Sequence, residues 1–321
     1  MKGKRVGLIL GKVAPFHKGH NFLIDTALKI VDELIFVVYD CPDRIHIPTN
    51  MRADWIRKQY PQINVIEGWD APNEHNDSDL AVQRKQENYI SKILKGKKIT
   101  HFISSEKYGE HMSKFLRAEN VVVDMERKKI NISSTIVRGN LYKHREYIPS
   151  VVYYDLITKI ALVGFDWKSI NSLTKMITKK YKTVSGSLLQ VPSDKKDLLK
   201  MIKRKKGELY DETLIKNADT FAFYSNTLIE GYTLLQGIER DFSSEIRNEA
   251  LKQLRDFDII FLNQTDNKMI NGINSRFLNN QLIAQLKANK INYIQLVGNY
   301  LQKEKQIEQV LALNLKTKKF I

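Results

Sequence analysis

A single cysteine, Cys41, stands in a chain of 321 residues. It excludes an internal disulfide and any zinc site of the Cys/His-cluster type, and it fits a reducing cytoplasm, the location expected for the protein. Histidine is also scarce: all seven lie at or before His144, so imidazole chemistry belongs to the first half of the chain. Long apolar runs are absent. The run in "MKGKRVGLIL" is broken by "GK" before a signal-peptide core is complete, and no stretch approaches a membrane span. Acidic residues are outnumbered, 36 Asp and Glu against 52 Lys and Arg, for a net charge of +16. That excess favours anionic partners such as nucleotides or nucleic acid. It is spread over the chain, without a dense basic tail or basic residues interleaved with aromatics. A nucleic-acid-binding protein is therefore the rival from another class, and nucleic acid is not the expected partner.

What is present has the grammar of an α/β protein. "RVGLIL", "ELIFVVYD", "INVIEGW", "THFISSE" and "ENVVVDM" read as strands. Helical segments separate them: Gly19 to Asp32, Met51 to Tyr60, "LAVQRKQENYISKIL", and Tyr108 to Leu116. This alternation predicts a parallel sheet with crossover helices. The pattern restarts at "KIALVGFD", with a helix to Lys180, a Lys-rich helical stretch "DKKDLLKMIKRKKGE", and strands at "DTFAFYS", "DFDIIFL" and "INYIQLVG". The expected domains are residues 1–158 and 159–321.

The first strand runs into "GKVAPFHKGH", Gly11 to His20. A glycine after a buried strand lets backbone approach a ligand, and the helix that follows offers N–H groups and a partial positive charge to phosphate. His17 and His20, three apart at a helix start, face one side, and Lys12 adds a cation. A helical zinc pair would place histidines four apart, and a phosphate loop of the Walker type would need Gly-Lys-Ser/Thr, so neither fits. Taken alone, an HxGH tetrapeptide is more simply a pair of capping or surface histidines. A second stretch, "INISSTIVRG", puts Ser133, Ser134 and Thr135 at a helix start with Arg138 one turn on, which alone reads as an ordinary N-cap.

Together, "GKVAPFHKGH" and "ISSTIVRG" resemble the nucleotidylyltransferase superfamily, whose members carry HxGH and ISSTxxR on a Rossmann-like sheet. The order of "DELIFVV", "IPTNMRADWI", "EGWD", "ISSEKYGE", "VVVDMERKKINISST" and "REYIPSVV" is similar to bifunctional NadR-type proteins, which join a nicotinamide mononucleotide adenylyltransferase to a ribosylnicotinamide kinase. The resemblance is dense to about Val152 and thin afterwards. It implies a Rossmann-like nucleotidylyltransferase domain followed by an α/β domain like a P-loop kinase. It implies transfer of adenylyl from ATP to nicotinamide mononucleotide, giving NAD and pyrophosphate, with Mg2+ carried by the triphosphate. Gly11, Lys12, His17, His20, Ser133, Ser134, Thr135 and Arg138 are then expected at ATP, with His17, His20, Lys12 and Arg138 catalytic. Val13, Ala14, Arg44, Glu67, Trp69, Asp70, Ser104, Ser105 and Glu106 are expected at the second substrate. Trp69 is placed to stack on the nicotinamide ring, with a buried core tryptophan as its alternative.

The second half departs from that family. Counting from Gly164, Ser169, Ile170 and Asn171 stand where a Walker loop ends in Gly-Lys-Ser/Thr, and Phe165 and Trp167 fill a loop that should be small. Ser225 and Thr227 occupy expected acidic positions, and "MINGINS" carries Asn271 and Asn274 in place of an Asp-Gly-x-Arg pattern. The domain is therefore expected to be an inactive kinase with a structural or oligomeric role, in a chain that forms a homo-oligomer. Nucleotide sensing and residual kinase activity are the alternatives. For the first domain, adenylyl transfer to nicotinate mononucleotide, pantetheine phosphate or flavin mononucleotide, and cytidylyl transfer to an alcohol phosphate, are the nearer rivals. "GWD" and "REYIP" favour the pyridine nucleotide.

Overall fold

In a computed structural model the chain divides into two compact units, Met1–Tyr153 with Lys319–Ile321 and Tyr154–Lys318. The residues described are 3–72, 79–106, 109–181, 183–187, 196, 216–225, 227–238, 244–264, 268–270 and 272–320. The Lys-rich stretch expected to be helical, apart from Lys196, and Asn271 lie outside them.

The first unit alternates strand and helix: β1 (Val6–Gly11), α1 (Lys18–Ile30), β2 (Glu33–Tyr39), α2 (Thr49–Gln59), β3 (Asn64–Gly68), α3 (Leu80–Leu94), β4 (His101–Ser104), α4 (Gly109–Leu116) and β5 (Glu119–Val122). The strands form one parallel sheet in the order β3-β2-β1-β4-β5. Consecutive strands step outward from β1 first to one side and then to the other. Such a reversal opens a crevice beyond the carboxyl end of β1. Val6, Leu8, Leu10, Ile35, Val37 and Phe102 pack against Ile90 and Leu94 on one face. The alternate residues Ile9, Phe36 and Val38 are buried as well, as a parallel sheet covered by helices on both faces requires. Beyond β5 lie α5 (Ser134–Gly139), a 3-10 turn (Arg145–Tyr147) and α6 (Ser150–Leu156).

The second unit carries another parallel sheet, β12-β9-β6-β8-β7, from β6 (Thr158–Val163), β7 (Val184–Ser187), β8 (Phe221–Ser225), β9 (Ile259–Asn263) and β12 (Ile294–Leu296). Its helices are α7 (Trp167–Tyr181), α8 (Leu228–Ile238), α9 (Ser244–Arg255), α10 (Ser275–Ala288), α11 (Tyr300–Asn314) and α12 (Lys316–Phe320). A two-residue hairpin, β10 (Met269–Ile270) with β11 (Ile273–Asn274), precedes α10. Ile160, Leu162, Phe221, Phe223 and Phe261 of the strands meet Ile170, Leu173 and Ile177 of α7 and Ile307 and Leu311 of α11.

Gly164, the first residue after β6, has φ +144°, and a Cβ there would sit 2.4 Å from the Asn263 carbonyl oxygen. Only glycine allows β6 to turn this close to β9. Gly164→Ala is expected to destabilise the second unit by about 1–3 kcal/mol, read as a lower urea midpoint. An unchanged midpoint would mean that the backbone simply moves aside.

Candidate active site

The segment joining β1 to α1 is held from beneath by a charge. Arg52 of α2 is fully buried, and its guanidinium Nε donates to the Ile47 carbonyl at 2.9 Å. Its Nη1 donates to the carbonyls of Tyr39, at 2.8 Å, and Lys12, and its Nη2 to Thr49 Oγ1 at 2.8 Å. Asp40 lies 3.7 Å away. Burial lowers the guanidinium pKa, opposed by the Asp40 charge, and an arginine keeps its proton regardless. Arg52 thus ties the turn after β1 to the end of β2. Above it Val13 adopts a left-handed φ of +53° and, with Ala14 and Phe16, is buried.

His17 is the N-cap of α1. Its Nδ1 accepts from the Gly19 N–H at 3.1 Å, and His20 Nδ1 accepts in return from the His17 N–H at 3.2 Å. This is a capping box built from two imidazoles. The sequence left open whether these histidines cap the helix or face a ligand; the structure has them capping, and both rings also line the cavity described below. It also takes the Gly19 N–H, one of the amides expected to meet phosphate. A ring nitrogen that accepts N–H carries no proton, so each neutral ring holds its proton on Nε2 as a donor. The ring centroids are 3.9 Å apart. Two imidazolium ions that close and buried would repel. Desolvation, with the charge of Arg127, lowers His17 to about 4. Desolvation, then His17 and Arg127, holds His20 well below its usual range.

The "ISSTIVRG" segment meets this turn from 120 residues away. Ser133 caps α5, its Oγ accepting from Ile136 N–H at 3.2 Å. Ser134 Oγ donates to the Pro15 carbonyl at 3.1 Å, and Arg138 donates through Nη1 to the Ala14 carbonyl and through Nη2 to Thr135 Oγ1 at 3.3 Å. Both motifs thereby border one cavity of about 430 Å³. Gly11, Lys12, Val13, Ala14, His17, His20, Arg44, Ser104, Ser105, Glu106, Ser133, Ser134, Thr135 and Arg138 all line it.

Glu67, Trp69 and Asp70 are not among its lining residues; they stand at and just past the end of β3. Glu67 accepts from Arg57 Nη1 at 2.7 Å, and Asp70 has φ +55°. Trp69 is 51% exposed, so the core-tryptophan alternative does not hold. Its carbonyl accepts from Tyr89 at 2.6 Å, and Tyr89 in turn meets Tyr39, a cavity residue, edge to face.

Arg127 borders the cavity without having been singled out in the sequence. Its place comes from a turn: Asp124 accepts at its carbonyl from Arg127 N–H at 2.8 Å and at its carboxylate from the N–H groups of Lys129 and Ile130 at 3.1 Å. The aspartate three residues ahead was the available signal, since Asp organises such turns. Among the described residues no three His, Cys, Asp or Glu side chains converge to hold a metal, and no helix is long and apolar enough to cross a membrane.

No protein-family model matches the chain. It is 26% identical over 208 residues to the trifunctional NAD biosynthesis/regulator protein NadR of Salmonella typhimurium, matching 57% of this chain and 48% of that one. The chain thus spans about half the length of the NadR relatives it matches. It is 25% identical over 162 residues to the phosphopantetheine adenylyltransferase of Fusobacterium nucleatum, 48% of this chain and 96% of that one. In structure it is similar to a NadR protein in complex with NAD and AMP-PNP, with a TM-score of 0.54 at 16% identity over 97% of this chain and 96% of that one. The chain is NadR-like in sequence, and its α/β fold is that of NadR through both units.

Two outcomes test the site. His17 should titrate near pH 4 by NMR of its ring proton, and the first unit should lose stability as pH falls from 6.5 toward 4, because the unfolded chain takes up that proton first. A midpoint near 6.5 would contradict the buried pair. Arg52→Met should cost the unit about 3 kcal/mol or more in chemical denaturation, since it strands buried carbonyls.

Proposed function

We propose that the first unit joins ATP and nicotinamide mononucleotide to give NAD and pyrophosphate. The observation that carries this reading is the meeting of His17 and His20 with Ser133, Thr135 and Arg138 around one cavity beyond the end of β1. Every one of these groups offers a hydrogen-bond donor, and a triphosphate is a row of acceptors.

An oxygen of the mononucleotide phosphate attacks the α-phosphorus of ATP as the bond to the β-phosphate breaks, with no covalent enzyme intermediate. Catalysis is then positioning and charge stabilisation. The Nε2–H groups of His17 and His20 donate to phosphate oxygens, with His20 nearest the reacting phosphorus. Their low pKa suits this role: a neutral donor already aimed by the capping box needs no proton uptake before substrate binds. Lys12, Arg138 and Arg127 neutralise charge gathering on pyrophosphate. Ser133 and Thr135 retain hydroxyl protons for the β- and γ-phosphates, whereas Ser134 spends its proton on Pro15. Magnesium, when bound, neutralises and bends the triphosphate; this donor set fits phosphate oxygens and leaves the metal to the nucleotide.

The acceptor would lie along Val13, Ala14, Arg44 and Ser104 to Glu106, with Trp69 stacking its exposed ring on the cationic nicotinamide and Asp70 and Glu67 nearby. The second unit is read as an inactive kinase-like domain of structural or oligomeric role. Pantetheine phosphate is the second reading of the acceptor, favoured by the likeness to an adenylyltransferase of that substrate over 96% of its length. Trp69 separates the two, because pantetheine has no ring to stack.

With ATP, magnesium and each acceptor in turn, NAD and pyrophosphate are expected from nicotinamide mononucleotide. His20→Ala should lower kcat by about 100- to 1,000-fold. Turnover of pantetheine phosphate alone would replace the acceptor, and full activity of His20→Ala would end the mechanism.

A further inference from the structure

The crevice of the second sheet lies beyond the carboxyl ends of β6, β8 and β9, where a phosphate would meet backbone N–H groups. A side chain is already there. Glu230, 3% exposed, accepts from the Gly164 N–H through Oε1 at 2.9 Å and from the Thr227 N–H through Oε2 at 2.6 Å. The Thr227 contact is half of an ordinary capping box at the start of α8. The Gly164 contact is not local: it crosses 66 residues to the first amide after β6, the point where a phosphate loop would begin.

A second carboxylate acts at the adjoining helix. Asp166 Oδ1 accepts from the Ser169 N–H at 3.3 Å in the first turn of α7, and its Oδ2 pairs with Lys268 at 3.3 Å. Phe165, which joins Gly164 to Asp166, is buried. Asn263 Nδ2, next to Gly164, is buried without a hydrogen-bond partner among the described residues, so the crevice is polar. Burial pushes the Glu230 carboxyl up to about 7, with the Gly164 and Thr227 N–H groups and the Thr227 hydroxyl holding it back.

We propose that Glu230 is a built-in occupant of this crevice: its carboxyl takes the place of a phosphate at the end of β6 and closes the second unit to nucleotide there. The absence of acids at Ser225 and Thr227 removes metal support for a nucleotide. Glu230 goes further and takes the amide at which the loop leaves β6. The proposal rests on the second unit alone and stands whether or not the first unit makes NAD.

The full chain labelled with 15N-glycine reports on Gly164 directly. In wild type its amide resonance is expected to stay fixed as ADP and magnesium are added, while glycines of the first unit are free to respond. Glu230→Ala should lower the melting temperature of the second unit, and sodium formate, a free carboxylate, should restore more of it than sodium chloride at equal ionic strength. Saturable movement of Gly164 with ADP in wild type would overturn the proposal, as would equal effects of formate and chloride. If Glu230→Ala does not fold, Glu230→Gln, which offers one acceptor oxygen instead of two, should speed deuterium exchange at Gly164 or Thr227. Unchanged protection at both would also overturn it.

Discussion

Two imidazoles that cap their own helix set the form of the candidate site in the first unit. Because each Nδ1 accepts a backbone N–H, the tautomer of both rings is decided by the fold before any ligand arrives. The same bonds hold the rings side by side at 3.9 Å, and burial keeps them neutral. Capping and ligand binding are usually weighed as alternatives for a histidine at a helix start. Here one nitrogen does the first, and the other keeps its proton and stays available to a ligand.

The surroundings serve that arrangement. Arg52 fixes the turn below it by bonding carbonyls of Lys12, Tyr39 and Ile47 at once, a task for a planar fork rather than a point charge. Ser134 and Arg138 close it from above through Pro15 and Ala14. The carbonyls of Lys12, Ala14 and Pro15 in this turn are thus satisfied by side chains from two other elements, and Lys12, Val13 and Ala14 line the cavity. The sheet supplies the opening and these bonds supply the rigidity.

Legibility in the sequence followed the range of the interactions. Helix α3 runs over the stretch "LAVQRKQENYISKIL" from end to end, because Asp79 caps it and Lys95 and Gly96 turn left-handed after it, all local effects. The five strands of the first sheet were readable from apolar runs. Strand β7 and the hairpin β10–β11 were not, since they are short and owe their existence to partners, as Val184 does to Ala222. At the site, HxGH and ISSTxxR were legible as motifs. Arg52 reads as one more basic residue of a surface helix, and only the folded chain buries it. Arg127 depends in the same way on the turn that Asp124 builds. Which histidine nitrogen faces the cavity could not be known without the capping bonds.

The Glu230 contact also bears on history. A phosphate loop that had merely lost its lysine could regain it by one substitution. Once a carboxyl fills the cradle, a restored lysine would meet an occupied seat, and removing the carboxyl first would leave Gly164 N–H unpaired inside the core. If the carboxyl holds that seat as proposed, each single step back is worse than standing still, and a loop closed in this way would stay closed.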